Sequence, residues 1–458
     1  MATLKVWAPT KGDRWCSLDC GRQESGLRWF RSRVSGSSRV SFSRAQRLTI
    51  MAGMAAAKTP LKLEKAHVLT RQQLDKAKHE MDKFVQKIPN HPERRENASP
   101  YYLLHKEGEA VYGTVLVFHG FSATTSQMGL LAHYLFESGF NVYQPALSGH
   151  YFLNPDKNWP KHDLKKDIKE KLVKKLMSDP ELAAYVQDFI SISILTPDTA
   201  YGAVNRLKAL DEPELLAAVF DEEFGAAFNK YYESEHMKYL HEAEHRMREV
   251  AALPGPLFTV GLSMGGATAL SLAATHPEKI AKAAVFAPLL KIVNPHNVRF
   301  SKLTGPLGAQ EKGWYPDMPF LLSCMVVVDA FGHFVRQDKH LDVLAKIPTF
   351  IVQTELDDSA DHVVGMQIVK ELEDRSAADG PPHISTLYAA AEGVPHPMVH
   401  PLEASFAGNT NKFWQSLYQE TFRFLTEGTV DVDHLHVKSQ DPALPQVRAL
   451  EIPAVTVT

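Results

Sequence analysis

The sequence predicts an α/β protein built on a mostly parallel central sheet with helices on both faces. From Tyr101 onward, short apolar runs typical of buried strands alternate with longer segments of helical periodicity. This is the pattern of strands joined by crossover helices. One apolar run leads into a G-x-S-x-G sequence at residues 261–265, and a helical run of small residues follows it. Polar turns directly follow several of the other apolar runs. In parallel sheets, ligand sites lie at such turns, outside the carboxyl ends of the strands.

The composition is that of an ordinary globular protein, with 458 residues, 44% of them apolar and 22% charged. The net charge of −3 argues against nucleic acid as the main partner. No apolar run reaches the roughly 18 residues of a transmembrane helix, so we expect at most peripheral contact with a membrane. Only three cysteines occur, which indicates no disulfide framework and fits a reducing compartment: Cys16, Cys20 and Cys324.

Residues 1–57 are rich in Arg and Ser, and the first 50 hold ten basic and three acidic residues. This composition is typical of a transit peptide, which would direct the protein to a plastid or mitochondrion. Met51 offers a later start of translation, and the protein would then be cytoplasmic. A third interpretation of this segment is a flexible basic arm that binds an acidic surface. In each case we expect the segment to lie outside the fold.

An N-terminal helical segment, 58–99, precedes the main domain. Thr70 is a candidate N-cap for its helix, which we expect to have a packing role. Apolar residues recur in it at helical spacing: Leu74, Ala77, Met81 and Phe84.

The main domain is expected at 100–428. Its predicted strands lie at 101–107, 114–118, within 140–150 together with a loop, and at 256–261, 280–290, 348–354 and 384–390. Its predicted helices lie at 123–139, before Ala252, at 265–278, 361–375 and 411–428.

Two connections between strands are longer than a crossover requires. The first contains a charged stretch at about 160–231, which we expect to be a helical insertion over or beside the sheet edge. The second, 288–347, has a Gly- and Pro-rich loop followed by an apolar helix at 320–334. Residues 429–458 carry no strong pattern, so we expect a loosely docked or disordered tail.

The G-x-S-x-G sequence identifies Ser263 as a candidate nucleophile. A strand, a sharp turn and a helix are the setting that such a serine needs. Gly261 and Gly265 stand two residues before and after it, where the turn leaves no room for side chains.

A serine hydroxyl needs a base, commonly a histidine oriented by a carboxylate. In the predicted fold class, the acid and then the histidine follow the serine along the chain. Asp357 comes three residues after a predicted strand and is our first choice of acid, with Asp358 as the alternative. His396 follows the last strand in a Gly/Pro turn and is our first choice of base, with His400 as the alternative.

Acyl transfer through a serine also needs two donors for the developing oxyanion. The backbone N–H of Met264, at the start of the helix, is one candidate. The backbone N–H of Phe121 is the other, because the sequence His119-Gly120-Phe121 directly follows a buried strand upstream of the serine.

Taken together, five short sequences resemble those of the α/β-hydrolase family, and more narrowly its carboxylesterase and monoacylglycerol-lipase branch. The similarity covers about residues 100–428. It implies an α/β-hydrolase fold, with 288–347 as a cap whose apolar helix either lines an acyl pocket or is buried core. It also implies a structural role for His150, although Tyr151 replaces a glycine of the family pattern. The five are HGF at 119–121, LSGHY at 147–151, GLSMG at 261–265, the acid turn at 354–361 and PH at 395–396.

One competing motif is the H-E-x-x-H sequence at 241–245, the pattern of a zinc metalloprotease. The surrounding run is polar on all sides and occupies the expected crossover helix, so we expect no metal site and no cofactor.

The sequence therefore predicts a serine hydrolase that cleaves a carboxylic ester with an apolar acyl or alcohol part, through Ser263, His396 and Asp357. A thioesterase, amidase or acyltransferase would use the same residues. A reading of another class is a non-catalytic protein that binds a partner through the 160–231 insertion. Fold alone does not decide among these.

Overall fold

The structure is a computed structural model. The expected transit peptide, 1–57, lies outside its described residues, as does the middle of the helical insertion. The described residues are 64–178, 180, 213–304, 310–312, 319–404 and 408–448.

Within the described residues, seven strands form the central sheet, in the order β13-β12-β9-β8-β4-β5-β2. Six of them run parallel, and β2 is antiparallel to its neighbour β5 at one edge. The α/β class and mostly parallel sheet predicted from the sequence are confirmed. The strands are β2 (Tyr101–Leu103), β4 (Thr114–Phe118), β5 (Asn141–Gln144), β8 (Leu257–Leu262), β9 (Ile280–Phe286), β12 (Thr349–Thr354) and β13 (His383–Tyr388).

Two apolar clusters cover the two faces of the sheet. In β4, Leu116 and Phe118 belong to one cluster and Val115 and Val117 to the other, because successive side chains of a strand point to opposite faces. Burial on both faces explains the continuous apolar runs of the parallel strands.

The helices pack on these two faces. The helices α1, α7, α8, α10, α11 and α12 contribute to the first cluster, and α2 and α13 to the second. None of the helices in the described ranges is long and apolar enough to cross a membrane. Their bounds are α1 (Arg71–Val85), α2 (Gly129–Glu137), α3 (Pro155–Asn158), α4 (Lys166–Ser178), α5 (Pro213–Phe220), α6 (Ala226–Tyr231), α7 (Lys238–Glu249), α8 (Met264–Thr275), α9 (Pro295–Thr304), α10 (Ser323–Arg336), α11 (Asp338–Leu344), α12 (His362–Arg375) and α13 (Trp414–Glu427).

The helix predicted in the N-terminal segment is α1. Thr70 caps it through a bond from the Gln73 N–H, and the Gln73 side chain returns a bond to Thr70, which is a capping box. All four predicted apolar positions are buried. Leu74, Ala77 and Met81 belong to the first cluster, whereas the Phe84 ring packs edge-on against Tyr151, with centroids 5.3 Å apart.

The insertion contains two strands that the sequence does not predict. Strand β6 (His162–Leu164) pairs antiparallel with β7 (Tyr232–Ser234) and closes the base of the insertion. Each strand has only three residues, too few to show a period of two. The described helices of the insertion, α4, α5 and α6, carry a separate apolar cluster that includes Phe228 and reaches Val326 of α10.

Short strands also pair outside the central sheet. Strand β1 (His67–Val68) pairs with β3 (Ala110–Val111), and β10 (Gln310–Lys312) pairs with β11 (Pro319–Leu321) within the second long connection.

The expectation of a loose tail is wrong for residues 429–448, which pack against the domain. Leu435 is fully buried, and its carbonyl accepts a bond from the Tyr388 hydroxyl. His434 lies 2.6 Å from the buried Glu420 carboxylate. Separate contacts of individual residues hold the tail, and no amphipathic helix or strand is involved. The periodicity of the sequence therefore does not predict this packing.

Candidate active site

Ser263 lies in a strained turn between β8 and α8. Its φ of 55° and ψ of −118° are values that a residue other than glycine rarely adopts, so surrounding contacts must hold it there. A Cβ on Gly261 would overlap the carbonyl of Gly265, and a Cβ on Gly265 would overlap the carbonyl of Phe118. The two glycines of the motif are therefore required by space.

Backbone hydrogen bonds fix this turn. The Ser263 N–H donates to the Phe286 carbonyl at 2.9 Å. The Ser263 carbonyl accepts from the Ala267 N–H at 3.0 Å and from the Leu289 N–H at 2.9 Å. The serine is thus held by β9, by its own helix and by the segment after β9.

The structure brings together Asp357 and His396. The distance from His396 Nδ1 to Asp357 Oδ2 is 2.8 Å. The other carboxylate oxygen of Asp357 accepts from the Ser359 N–H at 2.9 Å and the Ala360 N–H at 2.7 Å. The two turns follow the neighbouring strands β12 and β13, and the Thr354 hydroxyl ties them by donating to the Val394 carbonyl at 2.6 Å.

This arrangement fixes the tautomer of His396. An ionised carboxylate only accepts hydrogen bonds, so Nδ1 donates, and Nε2 is the basic nitrogen of the neutral ring. Burial lowers the pKa of His396, but the carboxylates of Asp357, Asp358 and Glu403 together raise it more, and the net shift is upward. The pair can accept a proton and stabilise the resulting imidazolium.

The alternatives left open by the sequence have other contacts. The Asp358 carboxylate accepts from the Ser359 hydroxyl at 3.0 Å, and burial raises its pKa. His400 Nδ1 accepts from the Leu402 N–H at 3.3 Å, and burial lowers the pKa of His400.

The loop after β4 is shaped by His119. Its Nε2 accepts from the Leu147 N–H at 3.0 Å, so its Nδ1 donates to the Gly120 carbonyl at 2.8 Å. Burial lowers the pKa of His119 to about 3, so the ring is neutral, as this bonding requires. The Gly120 carbonyl and the Phe121 N–H belong to the same peptide unit, and His119 therefore orients that N–H.

The two predicted oxyanion donors lie on adjoining elements. Met264 is the first residue of α8, so its N–H has no acceptor within the helix, and the helix dipole favours negative charge there. A Cβ on Gly120 would lie 3.4 Å from Ser263 Cβ. The loop that carries Phe121 is therefore beside the serine.

Two residues of this region were missed from the sequence. Gln127, in the 3₁₀ turn Thr125–Met128, accepts from the Gly120 N–H through Oε1 at 2.8 Å. Its Nε2 donates to Glu403 Oε2 at 2.7 Å. The two residues are 276 positions apart, and neither belongs to a motif, so no local signal in the sequence points to them.

Aromatic rings surround Phe121. Its ring centroid lies 5.2 Å from that of Trp159 and 5.1 Å from that of Phe320. The apolar helix of the second connection, α10, meets this group through Cys324, while its later residues such as Phe331 lie in the main core. The later part of this helix is therefore buried core, which was one of the two expectations, and the acyl pocket stays a prediction.

His150 is fully buried and donates from Nδ1 to the Ser148 carbonyl at 3.0 Å. Its ring stacks on Trp159 with centroids 4.0 Å apart. These contacts are those of a packing residue.

The H-E-x-x-H sequence lies on α7 with His241 and His245 both exposed. Glu244 accepts from His276 Nε2 at 3.0 Å, which joins α7 to the end of α8. Among the described residues, no group of three His, Cys, Asp or Glu side chains is suited to hold a metal ion.

A family model described as serine aminopeptidase, S33, matches residues 234–316, which include the Ser263 turn. The matched region runs from the end of β7 through the helix after β9. Together with the parallel sheet and the strained serine between β8 and α8, this match indicates the fold. The chain has the α/β-hydrolase fold.

Several solved structures are similar to this chain over most of its length. One from the metagenome-derived lipolytic enzymes LipS and LipT is 17% identical and covers 72% of this chain and 98% of its own, with a TM-score of 0.40. A soluble variant of the Saccharomyces cerevisiae monoglyceride lipase with a substrate analogue is 14% identical, covering 73% and 96%, with a TM-score of 0.40.

A Paleococcus ferrophilus monoacylglycerol lipase is 15% identical and covers 73% of this chain and 99% of its own, with a TM-score of 0.40. Likenesses this weak do not carry the substrates of those enzymes over to this chain. A comparison with curated protein sequences finds no match.

Proposed function

We propose that this α/β-hydrolase is a serine esterase that cleaves a carboxylic ester through an acyl-enzyme. The observation that carries the proposal is the buried hydrogen bond between His396 and Asp357. It lies at the carboxyl edge of the same sheet in which Ser263 ends a strand in a strained turn. A buried ion-pairing histidine in that place has an evident use as a base for the serine.

The chemistry follows from these residues. Ser263 Oγ attacks the ester carbonyl carbon while His396 Nε2 takes the hydroxyl proton. The Phe121 and Met264 N–H groups hold the oxyanion of the tetrahedral intermediate. The bond to the alcohol oxygen then breaks, and His396 returns the proton to the leaving alcohol. Water, activated by His396, attacks the acyl-enzyme and releases the acid and free Ser263.

Asp357 keeps the Nδ1–H tautomer of His396 and stabilises its cationic form, in agreement with the raised pKa of His396. The aromatic rings around Phe121 favour an ester with an apolar acyl or alcohol part. No cofactor takes part in these steps.

Amide cleavage is the second candidate, because the matched family model is described as a serine aminopeptidase. The same residues would serve, with an amine as leaving group. A panel of p-nitrophenyl esters of graded chain length, the matching p-nitroanilides and one thioester separates these activities.

The test of the proposal uses Ser263→Ala. We expect it to abolish ester turnover and labelling by a fluorophosphonate, while Ser271→Ala keeps both. Ser271 is a matched control because it lies on α8, where its hydroxyl donates to the Thr268 carbonyl. Unchanged turnover in Ser263→Ala would refute the proposal, and no turnover of any substrate by the wild type would favour the non-catalytic reading.

The proposal extends to the organisation of the chain. Residues 1–57 are proposed as a transit peptide to a plastid or mitochondrion, 58–99 as a helical extension, 100–428 as the hydrolase domain and 429–458 as its C-terminal extension. Residues 1–57 fused to a fluorescent protein should reach an organelle, and diffuse cytoplasmic fluorescence would favour initiation at Met51.

A further inference from the structure

Glu403 lies on the loop that carries His396, and its carboxylate contacts a different part of the site. Glu403 Oε2 accepts from Gln127 Nε2 at 2.7 Å, and Gln127 Oε1 accepts from the Gly120 N–H at 2.8 Å. We propose that Glu403 is a positioning residue that holds the oxyanion loop in its active geometry through Gln127. This inference rests on the proposed function.

The first step of the argument concerns the amide of Gln127. A glutamine amide has one acceptor end and one donor end, and the Gly120 N–H requires the acceptor. Glu403 accepts from the donor end and so determines which way the buried amide faces. A Cβ on Gly120 would lie only 3.0 Å from Gln127 Oε1, so the absence of a side chain at residue 120 lets the amide oxygen approach this peptide.

The second step concerns the peptide units next to Gly120. Gln127 fixes the N–H of the first unit, which joins His119 to Gly120, and the His119 ring fixes the carbonyl of the second unit, which joins Gly120 to Phe121. The second unit carries the Phe121 N–H. Both sides of Gly120 must be held to aim that donor, and Glu403 is the outer support of one side.

The third step concerns charge. The Glu403 carboxylate raises the pKa of His396, and His396 in turn lowers that of Glu403. Burial raises the pKa of Glu403 to about 7 despite the Gln127 bond. The other titratable groups near Glu403 are Tyr418, whose pKa it raises, and His400, whose carbonyl accepts from the Glu403 N–H at 3.2 Å. Glu403 therefore acts on both the base and the oxyanion loop.

A reciprocal exchange tests the proposal. Gln127→Glu places two carboxyl groups in contact and should lower kcat roughly 10- to 100-fold at pH 8, with little change in KM, because a misaimed donor weakens transition-state binding. In Gln127→Glu/Glu403→Gln, the amide of residue 403 donates to the carboxylate at 127, which still accepts from Gly120. We expect this double variant to recover kcat to within about threefold of wild type.

Glu403→Gln alone keeps an acceptor for Gln127 but removes the charge near His396. The pH profile of its kcat/KM should keep a similar maximum. The acid limb of that profile should move to lower pH, because the Glu403 charge no longer raises the pKa of His396. The exposed pair Gln367 and Glu371, bonded at 3.0 Å on α12, gives a matched control: its reciprocal exchange should leave kcat, KM and the pH profile unchanged.

Thermal melting of each variant accompanies the kinetics. The inference is overturned if Gln127→Glu keeps wild-type kcat, or if the folded double variant recovers none of the loss. If Gln127→Glu does not fold, the acid limb of Glu403→Gln decides, and an unmoved limb overturns the inference. Activity retained in Ser263→Ala would instead refute the proposed function, so the two failures are distinguishable.

Discussion

Asp357→Asn is the substitution that most directly probes the paired acid and base. The size and shape of the side chain are kept, but one oxygen becomes an NH₂ group. Asp357 Oδ1 accepts from the Ser359 and Ala360 N–H groups, and only the amide oxygen of asparagine can take that place. The NH₂ group must then face His396 Nδ1.

Two donors cannot form a hydrogen bond, so His396 must adopt the tautomer with its proton on Nε2. That nitrogen can then no longer accept the Ser263 proton. Loss of the correct tautomer lowers kcat about 10⁴-fold in a serine protease with the same arrangement, and we expect a similar loss here with KM changed little. The remaining rate would come from binding and the oxyanion donors.

The pH dependence has a definite sign. Because the Asp357 carboxylate raises the pKa of His396, and the base must be neutral, the wild-type acid limb lies above the ordinary histidine range. Neutralising residue 357 removes this effect, so the residual activity of Asp357→Asn should persist to lower pH than that of wild type.

The assay is kcat and KM for a soluble p-nitrophenyl ester from pH 5 to 9, with melting temperatures to show folding. Asp358→Asn is the matched control and should keep most of the wild-type kcat. If Asp357→Asn retains more than a tenth of wild-type kcat while Asp358→Asn loses activity, Asp358 is the acid and the reasoning fails.

Two further predictions concern stability. Gly265→Ala should lower the free energy of unfolding by about 3 kcal/mol or prevent folding, because its Cβ would overlap the Phe118 carbonyl. The control is Gly393→Ala, at φ +74° with nothing within 4 Å of the added Cβ, which should lower the free energy of unfolding by only about 1–2 kcal/mol through backbone strain. Equal urea midpoints for the two variants would contradict this. Leu435→Ala, in the fully buried part of the C-terminal extension, should lose about 2–4 kcal/mol, whereas Val437→Ala, 42% exposed, should melt as wild type does; a normal melting temperature for Leu435→Ala would mean that the extension is dispensable.

The sequence was informative wherever function depends on local geometry. The segments on either side of Ser263 are a continuous apolar run and a helical run of small residues, and the glycines of its turn are the residues that this turn requires by space. The acid and histidine turns follow strands that the sequence predicts to be parallel, so their position at one edge of the sheet follows from parallel topology. The sequence does not decide between Asp357 and Asp358, because these adjacent residues differ only in the direction in which their side chains point.

What the sequence could not supply depends on contacts between distant segments. Strands β6 and β7 are short and meet across the whole insertion. Residues 429–448 are anchored by separate contacts, which include the buried Leu435 side chain, the Tyr388 hydroxyl and Glu420, rather than by a periodic apolar face. Gln127 and Glu403 lie 276 residues apart, and neither has a neighbour pattern that would mark it.

The topology explains why such a link can matter. The oxyanion loop follows the interior strand β4, whereas the histidine turn follows the edge strand β13, and three strands lie between β4 and β13. The strands fix each turn separately, since β12 and β13 align the acid with the histidine and β4 and β8 align the loop with Ser263. Within the sheet these two pairs of strands are joined through β9, which is bonded to both β8 and β12. The hydrogen bonds from Glu403 through Gln127 to Gly120 link the two pairs of turns directly. We therefore expect that breaking these bonds lowers kcat more than it lowers the stability of the fold.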